Sequence, residues 1–390
     1  MTTELTSGSS ADARPDVAAA EAVSAALRGA PNPVFAFVFS TDQYDAGPLA
    51  AALDAAFGGV PWAGCCTAGV FAGRRFLRQG LVVGVLSSRV LRVGVGVGGP
   101  VSGDPRGAGG RAVATAVGSL APLVPGAGRG LVIMPDAITG NAAEVVRGAV
   151  REAGSAWAWA GGGAGDNLQF VRSAQFAGSA ALKDDVVAVA LEMPGVIAAG
   201  MRHGWRPYGP PALVTSARGS LVLELNGEPA YEVYRRAALG RGDEVSVETF
   251  PTFAMTHPLG FPQADGAHVI RDPLRVTAEG GLQCVAEVPE GCLVRVMEGT
   301  GPALVEATRE AALEARAMIG ADVGGAIVFD CISRSMMLGG DPRDELAALA
   351  EGLGADVPFI GCLTFGEVGV VGRGMPQFHN KTAVVLAWSK

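Results

Sequence analysis

An apolar run from Ala326 to Phe329 breaks abruptly into Asp330, Cys331, Ser333 and Arg334, the pattern of a buried strand that ends at a polar rim. Arg334 is the leading candidate for binding chemistry. Its planar guanidinium can grip a carboxylate through two parallel hydrogen bonds; the competing reading is a surface ion pair with Asp341 or Asp344. A second run, from Pro358, enters Gly361-Cys362-Leu363-Thr364-Phe365-Gly366-Glu367, where glycines bracket polar side chains. Gly161 to Asp166 is a similar turn. Such turns can bring backbone N–H groups against an anion, or their glycines can simply allow tight packing. Glu367 and Asp166 follow the two turns and can accept from a ligand ammonium, cap a helix or bond local backbone.

Cys331 and Cys362 end two of these runs, and His379 and Asn380 announce a third, Thr382 to Trp388. If the runs are neighbouring strands, their polar ends converge at one sheet edge, where open α/β sheets hold ligands. A Cys beside a His can form a nucleophile pair. Buried Cys is more often a small core residue, and no orienting acid or oxyanion motif accompanies these two. The expectation is therefore binding, not catalysis. No Lys-Ser or Lys-Thr pair follows either glycine turn, which excludes a Walker phosphate loop. Gly94 to Gly99, GVGVGG, lies within an alternating strand pattern and makes a poor dinucleotide fingerprint.

The elements that must position these residues repeat. Asp16 to Arg28 reads as a helix, Val34 to Phe39 as a strand, and Pro48 opens a helix whose Leu49, Leu53 and Phe57 share a face. Val60 to Ala63 then enters GCCTAG, followed by the strand GLVVGVLSS. The same order recurs with Leu131 to Met134, a helix capped by Asn141 with Glu144, GGGAGD and DVVAVALE. It recurs again with a helix at Pro302 to Ile319, the run from Ala326, a helix opened by Asp341 and Pro342, and the C-terminal runs. A supersecondary unit is thus written three times. Right-handed crossovers make its strand-helix-strand core parallel. Two extra runs, VLRVGVGVG and VIAAGMRHGW, are expected as hairpin additions to the first two copies. Between about Pro210 and Thr300 the pattern changes to short strands and turns, with a helix at Pro229 to Gly240. The expected fold is α/β: repeated strand-helix-strand-turn-strand units in mixed sheets covered by helices, packed as two halves. The expected division is a disordered tail over 1–14, an N-terminal half over 15–225 with two units, and a C-terminal half over 226–390 with the hairpins and the third.

The motifs GCCTAG, GGGAGD, HGWRP (His203 to Pro207), CISR, GCLTFGE and FHNKT appear in the order found in the FIST family of sensory proteins. The chain resembles that family from about Pro33 to Trp388. The resemblance implies a small-molecule-sensing module used in signal transduction, for small polar metabolites such as amino acids. On that basis a small polar metabolite is expected at Arg334, the Gly361 turn with Thr364 and Gly366, Glu367 and Asn380, beside Cys331, Cys362, His379 and Asp166. No cofactor is expected. Some proteins that the chain resembles bind haem and sense nitric oxide, so His203 and His379 are the candidate axial ligands of that alternative.

The 390 residues carry 49% hydrophobic and 17% charged side chains, which excludes global disorder. A net charge of −8 argues against broad nucleic-acid binding. The six Cys lack zinc-finger spacing. No secretory leader or membrane span is visible, so the expectation is a cytoplasmic protein with reduced thiols. No kinase, transmitter or DNA-binding segment is visible either; a signal would pass to a separate protein.

Overall fold

The computed structural model describes residues 2–320, 322–372 and 374–390. Three sheets of six strands carry the three copies. Each unit has an opening strand, a helix, a first core strand, a second helix, a second core strand, a small hairpin and a closing strand. In unit 1 the strands are Glu4–Ser10, Pro33–Thr41, Trp62–Thr67, the hairpin Val70–Ala72 and Arg75–Leu77, and Leu81–Ser87. In unit 2 they are Arg92–Gly98, Gly128–Pro135, Ala158–Gly162, the hairpin Gln175–Ala177 and Ala180–Leu182, and Val186–Met193. In unit 3 they are Ile197–Arg202, Val323–Cys331, Phe359–Thr364, the hairpin Glu367–Gly369 and Gln377–His379, and Ala383–Ser389.

The two core strands of each unit pair in parallel, as the crossover rule requires. Opening and closing strands pair antiparallel on one side. The hairpin leaves its own sheet. That of unit 2 extends the sheet of unit 1, that of unit 3 extends unit 2, and that of unit 1 extends unit 3. The exchange closes a ring of three.

Side-chain alternation explains the packing. In Pro33–Thr41, Phe35, Phe37 and Phe39 face a central core shared with Val132 and Met134 of unit 2 and Ile327 and Phe329 of unit 3. The intervening Ala36 and Val38 meet the unit's own helices, Pro15–Leu27 and Ala46–Phe57. Both faces are buried, so the core strands read as unbroken apolar runs. Phe39 and Phe329 meet edge to face across the central core, with centroids 5.7 Å apart. Asn141 caps the second helix of unit 2 by accepting from the Ala143 and Glu144 N–H groups.

Three expectations need correction. Residues 4–10, expected within a disordered tail, form the opening strand of unit 1 along Leu81–Ser87; Met1 lies outside the described residues. Small side chains make this docking possible: a Cβ on Gly8 would collide with the Ala22 carbonyl of the covering helix. VLRVGVGVG and VIAAGMRHGW do not close copies one and two but open units 2 and 3. Gly94, Gly96 and Gly98 lie directly under the carbonyls of Ala116, Ala112 and Ala108 in the helix Pro105–Gly118, so only glycine fits there. Finally, unit 3 is discontinuous. Its opening strand precedes residue 225, and a nine-stranded sheet with its own core, built around Tyr234, Phe250, Val222 and Leu282, is inserted between that strand and the helix Gly301–Ile319.

Candidate functional site

The second core strands run into the three glycine turns, and these turns bond to one another. Gly165 N–H donates to Cys66 O (3.0 Å), Gly163 N–H to Gly366 O (2.8 Å), Phe365 N–H to Gly163 O (3.1 Å) and Leu363 N–H to Gly69 O (2.8 Å). The donors expected to cradle an anion are therefore spent on neighbouring units. Gly361 is likewise a packing residue, because a Cβ there would overlap the Val328 carbonyl and the Phe71 ring.

Arg334 does not face a ligand either. After Cys331 the chain turns into a short helix, Ile332–Met337, that carries Arg334 inward to complete burial. Its Nε donates to Asp330 Oδ1 (2.9 Å), Nη2 to Glu345 Oε1 (2.6 Å), Thr308 Oγ1 (2.6 Å) and Leu304 O (2.9 Å), and Nη1 to His203 O (3.0 Å). The ion-pair reading wins, with partners other than Asp341 and Asp344. Burial opposes the guanidinium's charge, yet Glu345 and Asp330 hold its pKa above the ordinary value. Burial, with Glu345 beside it, pushes Asp330 well above the usual carboxylate range against the pull of Arg334.

Glu367 and Asp166 are also consumed by the fold. Glu367 accepts from Thr364 Oγ1 (2.9 Å), Thr382 Oγ1 (2.8 Å) and Thr382 N–H (3.1 Å). Its burial raises the pKa to about 7 despite these bonds. Asp166 accepts from the N–H groups of Phe170 (2.8 Å), Val171 (2.7 Å) and Arg172 (2.8 Å). It thereby holds a loop in which Asn167, Leu168 and Phe170 all adopt positive φ, an uncommon conformation for such residues. Cys362 is enclosed in the central core. Cys331 is buried, and burial pushes its thiol up to about 12, which leaves almost no thiolate at neutral pH.

The two candidate axial histidines adjoin these groups through their backbone: Arg334 bonds the His203 carbonyl, and His379 pairs with Glu367 in the hairpin of unit 3. His203 Nδ1 accepts from Trp205 N–H (2.9 Å). His379 is buried with no hydrogen-bond partner on either ring nitrogen. Burial first, then Arg271, drives its pKa down to about 3 from an ordinary 6.5. The unfolded chain therefore takes up the proton more readily, so this contribution to stability is full above pH 6.5 and is lost as pH falls through about 3. Glu367 acts in the opposite sense: its contribution is full below pH 4.5 and lost as pH rises through about 7. Comparing wild type with His379→Phe cancels the Glu367 part. Urea unfolding between pH 7 and 4 should show the wild type losing more stability than the variant; equal losses would contradict a neutral, buried His379.

What the structure does form is a cavity of about 350 Å³ beside this hub. Leu168 and Phe170 of the strained loop cover one side, and Phe365 and Gly366 form the base, with Phe170 and Phe365 rings 5.3 Å apart. Cys331, Ser333 and Met336 supply the wall from the short helix. The insert lines the other side with Met255 of its helix Phe250–Thr256 and with Asp272, Leu274 and Val285, and Asn380 completes the polar part. Of the residues expected in the site, Cys331, Gly366 and Asn380 line this cavity. Arg334, Gly361, Cys362, Thr364, Glu367, His379 and Asp166 do not.

Sequence reasoning missed Asp272 and the apolar lining from the insert, because nothing local ties residues 250–285 to residue 331. Lys381, within FHNKT, was also missed. Its Nζ is buried against Asp272 Oδ2 (3.1 Å), Met255 O (3.1 Å) and the Trp205 ring (5.5 Å). It thus ties unit 3 to the insert at the cavity's edge. Among the described residues, no cluster of His, Cys, Asp and Glu could hold a metal ion, and no helix is long and apolar enough to cross a membrane.

Comparison with known proteins gives two family matches: the FIST N domain over residues 34–228 and the FIST C domain over residues 230–370. No curated protein matches. Among solved structures, one described as cyanuic acid hydrolase from A. caulinodans is similar over all of both chains, at 10% identity and a TM-score of 0.40. A likeness at that level carries no argument about activity.

Proposed function

The chain belongs to the FIST family, whose domains are sensory modules for small ligands in signal transduction, and we propose that its ligand occupies the cavity between Phe170, Phe365, Asn380 and the insert. The observation that carries this reading is the origin of the walls. Unit 2, unit 3 and the insert each supply part of the lining of one open cleft, so a molecule that fills it contacts all three. It can then favour one placement of the insert, by as much as its affinity differs between placements. A separate signalling protein would read that placement.

The expected ligand, a small polar metabolite such as an amino acid, needs revision in its anchoring. Arg334 cannot hold its carboxylate, since the guanidinium is enclosed by protein acceptors. The lining is mainly apolar, with Asp272, Cys331, Ser333 and Asn380 as its polar groups. Binding without turnover is supported by the Cys331 thiol, whose raised pKa and Ser333 neighbour (Sγ to Oγ 3.1 Å) suit a wall residue and not a nucleophile. On the same reading no cofactor takes part; neither His203 nor His379 lines this cavity. A Soret band in the purified protein that vanishes in His203→Ala would contradict it.

Filling the cavity tests the proposal. Thermal unfolding of wild type and Ser333→Phe across amino acids, amines and small carboxylates should give a ligand that stabilises the wild type alone. At about a thousand times its dissociation constant the gain is about 4 kcal/mol. A ligand that stabilises both proteins equally would place the site elsewhere.

A further inference from the structure

Resting on that reading of the cavity, we propose that the ligand is an apolar amine: a compact hydrocarbon body with a protonated nitrogen and no carboxylate.

Two cations beside the cavity, Arg334 and Lys381, are committed. Arg334 gives its N–H groups to Asp330, Glu345, Thr308 and two backbone carbonyls. Lys381 is fully buried behind the wall, with Asp272 and Met255 O as partners and Trp205 across its face. A ligand carboxylate would lie against a mainly apolar wall with neither cation free to pair with it, which is unfavourable.

Two acceptors on the same wall remain. Asn380 is 2% exposed and its amide oxygen has no partner, a state that buried amides rarely keep unless something else completes them. Asp272 lines the same wall and uses only Oδ2 in its bond to Lys381. Its burial raises the pKa, with Lys381 pulling the other way; a second cation beside it stabilises its charged form. Leu168, Phe170, Leu274, Val285 and Met336 then cover the hydrocarbon body. An aromatic face such as Phe170 or Phe365 also favours a cation over an anion.

The test is a calorimetric titration of the full chain with four probes that share one body: 2-phenylethylamine, phenylalanine, 3-phenylpropionate and 2-phenylethanol. The amine should bind tightest and the propionate should not bind. Asn380→Leu should weaken the amine by about tenfold or more, the usual worth of a hydrogen bond to a charged group. Asn380→Asp, a second substitution of similar shape, should retain amine binding and still reject the propionate. Propionate binding as well as the amine, blocked by Ser333→Phe, would keep the cavity and overturn the charge assignment. So would an unchanged amine affinity in Asn380→Leu, or its loss in Asn380→Asp that melts like wild type. If no probe binds, or if Ser333→Phe leaves every affinity unchanged, the cavity reading falls and this inference with it.

Discussion

Replacing Arg334 with alanine is expected to cost about 3–5 kcal/mol of unfolding free energy, the usual penalty for breaking a buried ion pair from one side. The substitution leaves two carboxylates, on Asp330 and Glu345, facing each other without a counter-ion. It also frees the carbonyls of His203 and Leu304, which flank the two ends of the insert. Arg334→Lys should recover only part of the loss, because one ammonium cannot reproduce a planar fork that reaches five acceptors. Urea unfolding at pH 7 gives the number. A stable Arg334→Ala protein that merely loses ligand would return Arg334 to the binding role its sequence context suggests.

The second large effect is expected at the first glycine of each motif. A Cβ on Gly64, Gly161 or Gly361 would fall within van der Waals distance of the backbone oxygens of Val38, Ile133 and Val328 on the adjacent core strand. Backbone cannot rotate away as a side chain can. Alanine at any one of them should therefore cost about 1–3 kcal/mol, in the range of overpacked cores, and Gly161 adds the strain of φ near 152°. Control substitutions at Gly58 and Gly219, where a Cβ meets nothing, separate the two terms; their φ values are also positive, at 59° and 58°. A loss at Gly161 no larger than those at Gly58 and Gly219 would attribute it to conformation alone, and no loss at Gly64 or Gly361, whose φ is not positive, would contradict the backbone overlap.

The threefold repetition was legible because a strand buried on both faces must be apolar throughout, and each such run ends in glycines. The helices were legible from their faces and caps, as with Leu49, Leu53 and Phe57, all buried. The exchange of hairpins between units was not. Pairing of Gln175–Ala177 with Trp62–Thr67 is a tertiary choice that local pattern does not encode. The opening strand of unit 1 was missed for a related reason: ELTSGSS is small and polar, and becomes a strand only because Leu81–Ser87 offers it an edge.

The site was legible in place more than in role. Arg334 was placed on a rim because a polar residue after a buried strand usually meets solvent. The spacing of Asp330 and Arg334, four residues apart, held the contrary signal, since it matches one helical turn. The cavity wall supplied by residues 251–285 had no local signal at all. Cys331, Gly366 and Asn380 were found because they sit where strands end, whatever each one does there.

The most direct measurement is a crystal structure of the full chain soaked with whichever small molecule gives the largest thermal shift. The account predicts electron density between Phe170, Phe365, Asp272 and Asn380, in contact with both the short helix and the inserted sheet. Density instead beside His203 and His268, or in the separate cavity beside Asp42 and Cys66, would contradict it.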